Sequence, residues 1–235
     1  MILAGGLGTR MQAISGDRPK ALIPVAGRPF VHHQLAWLAD QGVPSVVFCI
    51  GHLGQAIRDV VGDGSAWGLA VTYVDEGDRL RGTAGALRLA LEQGSLPPAF
   101  MVLYGDSYLP LALVPVLDAF ERSGAPALMT VFRNEGRWER SNARVRDGRV
   151  VLYDKGHPDP AAGGLEFVDY GLSVLRREVV EGGVAAGATA DLADLYHRLS
   201  LDGLLAAHEV AERFYEVGSP DGLRDLEDHL AGAGR

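Results

Sequence analysis

The 235-residue sequence contains one cysteine, Cys49, which excludes an internal disulfide and any zinc site built on several cysteines. It lies in the apolar run Ser45-Val46-Val47-Phe48-Cys49-Ile50, where a buried inert thiol is expected rather than a nucleophile. Long apolar runs are missing as well. No uncharged stretch approaches the ~20 residues that span a bilayer, so no membrane partner is expected. The apolar start Met1–Ala4 is broken at once by glycines and Arg10, unlike a signal peptide, and the cytoplasm is the expected compartment. Positive charge is scarce: 22 Lys and Arg against 30 Asp and Glu give a net charge of −8, which argues against general nucleic-acid binding. His32 and His33 lie on an early helix, where surface or packing roles are expected, and His52, His157, His197, His208 and His229 show no metal-ligand grouping. No Pro/Ser-rich linker or internal repeat divides the chain. With 47% hydrophobic and 22% charged residues it reads as one globular domain, 1–235, in two lobes of about 1–110 and 111–235.

What is present alternates strand and helix. Met1–Ala4, Val46–Ile50, Leu69–Val74 and Phe100–Tyr104 read as buried strands, with helices over Pro29–Gln41, Gln55–Val61 and Ala84–Glu92. Continuous apolar strands separated by helices predict a mostly parallel sheet covered on both faces. The second half mixes types. Asp147-Gly148 between Val145 and Val150 is a hairpin signal, Val168–Leu175 and Glu209–Val217 read as strands, and Asp191–Leu201 and Pro220–Leu230 as helices.

The first strand runs into Gly5-Gly6-Leu7-Gly8-Thr9-Arg10, with Lys20 behind it. Consecutive glycines let backbone N–H groups approach an anion, Thr9 adds a hydroxyl, Arg10 a planar fork of donors, and Lys20 a mobile charge. Two common phosphate motifs do not fit. A dinucleotide fingerprint starting at Gly6 and Gly8 would need its third glycine at Met11, and Thr9-Arg10 replaces the Lys-Ser/Thr of a Walker loop. Taken alone, the cluster is equally a tight turn.

The wider pattern, Leu3-Ala4-Gly5-Gly6-Leu7-Gly8-Thr9-Arg10 followed by Arg18-Pro19-Lys20-Ala21-Leu22-Ile23-Pro24-Val25, resembles the signature of sugar-1-phosphate nucleotidylyltransferases. The resemblance extends over essentially the whole chain. It implies a Rossmann-like, three-layer α/β/α, glycosyltransferase-A-like fold with a mixed central sheet, a nucleotide-binding first lobe and a sugar-phosphate-binding second lobe. It implies that Leu3, Ala4, Gly5, Gly6, Gly8 and Thr9 wrap the triphosphate, with Arg10 on the departing pyrophosphate and Lys20 bridging the phosphates. Gly82 and Thr83, in Arg81-Gly82-Thr83-Ala84-Gly85-Ala86-Leu87, would line base and ribose. Arg81 stands where similar members carry leucine, a departure that bears on base selection. Read without the family, Gly82–Gly85 opens a helix, a place suited to an anion or to nothing but a helix start.

Asp106 follows the strand ending at Tyr104, and the carboxyl end of a parallel strand is where open α/β sheets place ligands. A carboxylate facing a triphosphate suits Mg²⁺, although an Asp there is also a turn or cap residue. The resemblance makes Asp106 a metal ligand and catalytic together with Arg10 and Lys20, and Glu216 the second metal ligand where the family usually carries Asp. It makes Lys155 the residue that binds the sugar phosphate, with Asp169, Tyr170 and Gly171 on the sugar; Asn142 and Arg144 are further candidates. Adjacent Asp75 and Glu76 point to opposite faces of a strand and are read as loop charge, with Glu76 near the nucleotide.

The implied reaction joins an NTP to a sugar 1-phosphate, releasing pyrophosphate, without a covalent enzyme intermediate. Within the family, Tyr104-Gly105-Asp106-Ser107-Tyr108, Tyr153-Asp154-Lys155-Gly156 and Asp169-Tyr170-Gly171-Leu172 are most similar to the heptose-1-phosphate guanylyltransferase group, hence GTP and heptose 1-phosphate. UTP with N-acetylmuramate 1-phosphate, or a hexose or cyclitol phosphate, are the alternatives. A non-catalytic nucleotide-binding regulatory subunit is the reading from another class. The sequence leaves homo-oligomerisation open.

Overall fold

The computed structural model describes residues 1–6, 16 and 18–233. In chain order the strands are β1 (Ile2–Leu3), β2 (Pro24–Val25), β3 (Arg28–Pro29), β4 (Ser45–Ile50), β5 (Ala70–Asp75), β6 (Ala99–Tyr104), β7 (Ser107–Tyr108), β8 (Ala127–Arg133), β9 (Ala143–Arg146), β10 (Arg149–Tyr153), β11 (Phe167–Arg176), β12 (Leu205–Val210) and β13 (Tyr215–Glu216). The helices are α1 (Phe30–Asp40), α2 (Gly54–Val61), α3 (Gly82–Glu92), α4 (Leu113–Ser123), α5 (Arg177–Gly183), α6 (Leu192–Leu201) and α7 (Pro220–Ala233). The fold is mixed α/β on a mixed sheet. Two compact units are assembled from interleaved stretches: Met1–Leu80, Leu103–Tyr108 and Phe214–Arg235 in the first, Arg81–Val102 and Leu109–Arg213 in the second.

In the first unit β1 pairs in parallel with β4 and with the end of β6, and β4 with β5. Val46, Phe48, Cys49 and Ile50 are buried, which is why β4 is apolar on both faces instead of alternating. Burial pushes the Cys49 thiol up to about 12, so it is inert, as expected. Helix α1 buries Phe30, Val31, Leu35 and Leu38 at helical spacing, with Gln34 on the same stripe. Pro29 stands one residue before this helix rather than in its first turn. The amphipathic α7 sets Leu226 against Ile23, Val25, Phe30 and Val217. No helix among the described residues is long and apolar enough to cross a membrane.

The second unit departs from parallel pairing. β8, buried from Ala127 to Phe132, lies antiparallel to β11 and parallel to β12, and β10 is antiparallel to β9 and β12. The β9–β10 turn falls on Asp147 and Gly148, whose φ values of 49° and 71° are those of the expected hairpin turn. One strand differs from expectation: Glu209–Val217 is not continuous. β12 ends at Val210, opposite Phe132, where β8 also runs out of buried residues, and β13 is a separate strand paired with β7. β11 shifts register between Asp169 and Ser173, with Gly171 at φ 102°, a bulge that re-aims the side chains around Asp169.

Candidate active site

Leu3 pairs with both Cys49 and Tyr104, so the carboxyl ends of β1, β4 and β6 lie at one edge of the first unit's sheet. Ala4, Gly5 and Gly6 leave β1 at this edge, Ala4 N donating to Cys49 O, and the Glu76 carboxylate lies against Gly5. Gly8, Thr9 and Arg10 lie outside the described residues.

Lys20 opens a 3-10 turn, Lys20–Leu22, and Asp106 occupies the turn between β6 and β7. Lys20 Nζ donates to Asp106 Oδ2 at 2.8 Å, both side chains being half-buried. Gly105 brings this turn close to β1, because a Cβ there would stand 2.8 Å from Leu3 O. β7 pairs with β13 so that Glu216 opposes Ser107, and Val217 N donates to Asp106 O at 2.8 Å. Lys20, Asp106 and Glu216 thus converge on one turn. A helix residue supports it from below: Gln34 Nε2 donates to Tyr104 O at 2.9 Å and to Ser107 O at 2.8 Å. No sequence motif singles out Gln34, although an amide in the apolar stripe of α1 is a signal of a buried polar contact.

The donor set suits Mg²⁺, which takes one or two carboxylates and completes its shell with substrate phosphates and water. Among the described residues no group of three or more His, Cys, Asp or Glu could hold a metal ion by itself.

In the second unit, the opening of α3 is not a vacant anion cradle. Ala190 O accepts from Ala84 N and Gly85 N at 3.0 and 3.1 Å, and Ala190 N donates to Arg81 O. Thr83 Oγ1 donates to Asp191 Oδ1 and accepts from Leu192 N. Gly82 and Thr83 therefore join α3 to the start of α6, and the first-turn donors of Ala84 and Gly85 are satisfied within the chain.

The Lys155 and Asp169 segments come together through Asn142. Its backbone O accepts from Asp154 N at 2.8 Å, and its side-chain Oδ1 accepts from Asp169 N at 2.9 Å. Arg144 donates to Gly163 O, so both weaker candidates serve, at least in part, to brace the loops. Asp169 Oδ1 accepts from Gly171 N and Oδ2 from Tyr153 OH; Tyr170 beside it is buried. Burial holds the Asp169 carboxyl above its ordinary value, against the opposing pull of the Gly171 N–H, the Lys155 charge and the Tyr153 hydroxyl.

The folded chain therefore keeps the Asp169 proton to higher pH than the unfolded chain does. Stability falls as pH rises from the ordinary value of 3.8 through the raised folded one, and is not regained above it. Asp169→Asn should melt higher than the wild type at pH 7, by ~2–4 °C for each kcal/mol relieved, with the difference closing in acid. Equal melting temperatures across that range would contradict a partly buried carboxylate whose charge the fold disfavours.

The chain belongs to the MobA-like NTP transferase domain family, which it matches over residues 1–213. It is 29% identical over 236 residues to the N-acetylmuramate alpha-1-phosphate uridylyltransferase of Neisseria meningitidis serogroup B, covering 99% of this chain and 98% of that protein. It is also 29% identical to the D-glycero-alpha-D-manno-heptose 1-phosphate guanylyltransferase of Aneurinibacillus thermoaerophilus, over 67% of each chain. The match spans only 34% and 20% of the length of two other curated relatives. The solved structure of HddC from Yersinia pseudotuberculosis superposes with a TM-score of 0.76 over 97% of each chain at 22% identity, which establishes the fold.

Proposed function

We propose that the chain transfers a nucleoside monophosphate from an NTP to a sugar 1-phosphate, forming an NDP-sugar and pyrophosphate. The observation that carries this reading is the convergence of Lys20, Asp106 and Glu216 on the turn after β6. Kinship with enzymes named for such transfers supports it. In this reading a phosphate oxygen of the sugar phosphate attacks the α-phosphorus in line, and the bond to the pyrophosphate oxygen breaks. Mg²⁺, when bound by Asp106 and Glu216, neutralises charge on the phosphates. Lys20, released from Asp106, and Arg10 stabilise the departing pyrophosphate; Leu3, Ala4, Gly5, Gly6, Gly8 and Thr9 bind the triphosphate. Gly82 and Thr83 line the base and ribose. Lys155 orients the attacking phosphate, and Asp169, Tyr170 and Gly171 receive the sugar. No general base is required, since the nucleophile is already an anion at neutral pH.

The favoured pair is GTP with heptose 1-phosphate, on the motifs around Asp106, Lys155 and Asp169. Pyrophosphate release across a grid of NTPs and sugar phosphates, N-acetylmuramate, hexose and cyclitol phosphates included, tests both levels. Highest kcat/KM is expected for GTP with a heptose phosphate. Preference for another pair corrects the substrates, and tight NTP binding with no release from any pair would replace the enzyme by a nucleotide-binding regulator.

A further inference from the structure

Among the described residues of the first unit, the buried polar or charged side chains are Gln34 and Ser107, and they meet at the Asp106 turn. Gln34 stands in a stripe otherwise made of Phe30, Val31, Leu35 and Leu38, where an aliphatic side chain would pack without desolvating an amide. Its orientation is dictated by its neighbours. Two carbonyls, Tyr104 O and Ser107 O, face Nε2, and the opposite amide orientation would set oxygen against oxygen. Among the described residues the arrangement leaves Gln34 Oε1 and Ser107 Oγ buried without a hydrogen-bond partner, a cost that the packing of α1 does not explain. The two carbonyls it grips are those on either side of Gly105-Asp106. The same helix also holds the other half of the ion pair, since Phe30 N donates to Ile23 O directly after the Lys20–Leu22 turn.

Resting on the nucleotidyltransferase reading, we propose that Gln34 is a positioning residue for the metal and phosphate site. It touches neither substrate nor metal. Its amide clamps the Tyr104–Ser107 turn at both ends and so fixes the Asp106 carboxylate relative to Lys20 and Glu216. A carboxylate on a turn free to rock would bind a metal ion more weakly and leave it misplaced for the α-phosphate.

Gln34→Met keeps the length and removes both donors; Gln34→Leu removes them with a shorter, stiffer chain. Mn²⁺ binding to the full-length protein with a non-hydrolysable NTP analogue, read by water-proton relaxation, should weaken about 10-fold in both variants. Binding of the analogue without metal and KM for the sugar phosphate should stay at wild-type values while kcat falls. A merely structural role would lower the melting temperature and leave Mn²⁺ affinity unmoved, and that result in either folded variant overturns the proposal. Should neither variant fold, the wild type provides the reading: the Gln34 side-chain amide resonances must shift when Mg²⁺ and the analogue bind, and unmoved resonances also overturn it. Asp106→Asn separates the two levels. If it binds Mn²⁺ as the wild type does, the metal-site reading itself fails; if it loses Mn²⁺ while Gln34→Met does not, only the Gln34 proposal falls.

Discussion

Asp106→Asn should lower kcat for pyrophosphate release by about 10²–10³-fold, the loss typical of removing one preorganised charge from the group that stabilises a transition state. The substitution keeps the side-chain shape but removes the charge that faces Lys20 at 2.8 Å and would hold Mg²⁺. Nothing that fixes the turn is lost with it. The bonds from Gln34 to Tyr104 O and Ser107 O, and from Val217 N to Asp106 O, all involve backbone oxygens. The ion pair is half-buried, and its loss should cost only about 1 kcal/mol of stability. A large kinetic defect with a small change in melting temperature is therefore expected, and raising the Mg²⁺ concentration should recover part of the rate. Turnover close to the wild-type value, with initial rates followed by pyrophosphate release, would remove Asp106 from the mechanism.

The largest effect on stability is expected at Gly82. Its φ is 72°, and a Cβ there would stand 2.5 Å from Ala190 O. Alanine would pay about 1–2 kcal/mol for the left-handed conformation. It would also push away the carbonyl that accepts from Ala84 N and Gly85 N. Overpacking against backbone adds about 1–3 kcal/mol, because no flexible side chain can swing aside. Gly82→Ala should thus melt lower by on the order of 10 °C in thermal unfolding followed by circular dichroism. A shift too small to measure would mean that the junction between α3 and α6 contributes little to the fold.

Much of this was legible because the physics is local. The apolar runs of β4 and β6, Gly42 beyond α1 and the Asp147-Gly148 turn each declare their element within a few residues. β8 gives little signal because Thr130 interrupts its apolar run and its flanks Ala125-Pro126 and Asn134 punctuate weakly. Helices α4 and α5 likewise lack a clear signal, and Glu209–Val217 reads as one strand because hydropathy is blind to where a partner strand ends. At the site, Lys20 and Asp106 could be singled out by motif, whereas their 2.8 Å contact depends on the pairing of β1 with β6. The roles of Asn142 and Gln34 are hidden for the same reason: their partners are backbone carbonyls and N–H groups, which have no signature in sequence.

The interleaving of the first unit has a consequence for synthesis on the ribosome. Lys20 can meet Asp106 as soon as β6 and its turn have emerged, but β13 follows roughly 110 residues later, on the order of ten seconds at cellular elongation rates. During that interval Ser107 and Tyr108 lack their strand partner, and Ile23, Val25 and Phe30 lack the cover of Leu226. A nascent chain stalled between Tyr108 and Tyr215 would leave that apolar patch uncovered and Asp106 without Glu216 beside its turn, making the stretch from Tyr215 to Leu226 the one that closes the core of the first unit.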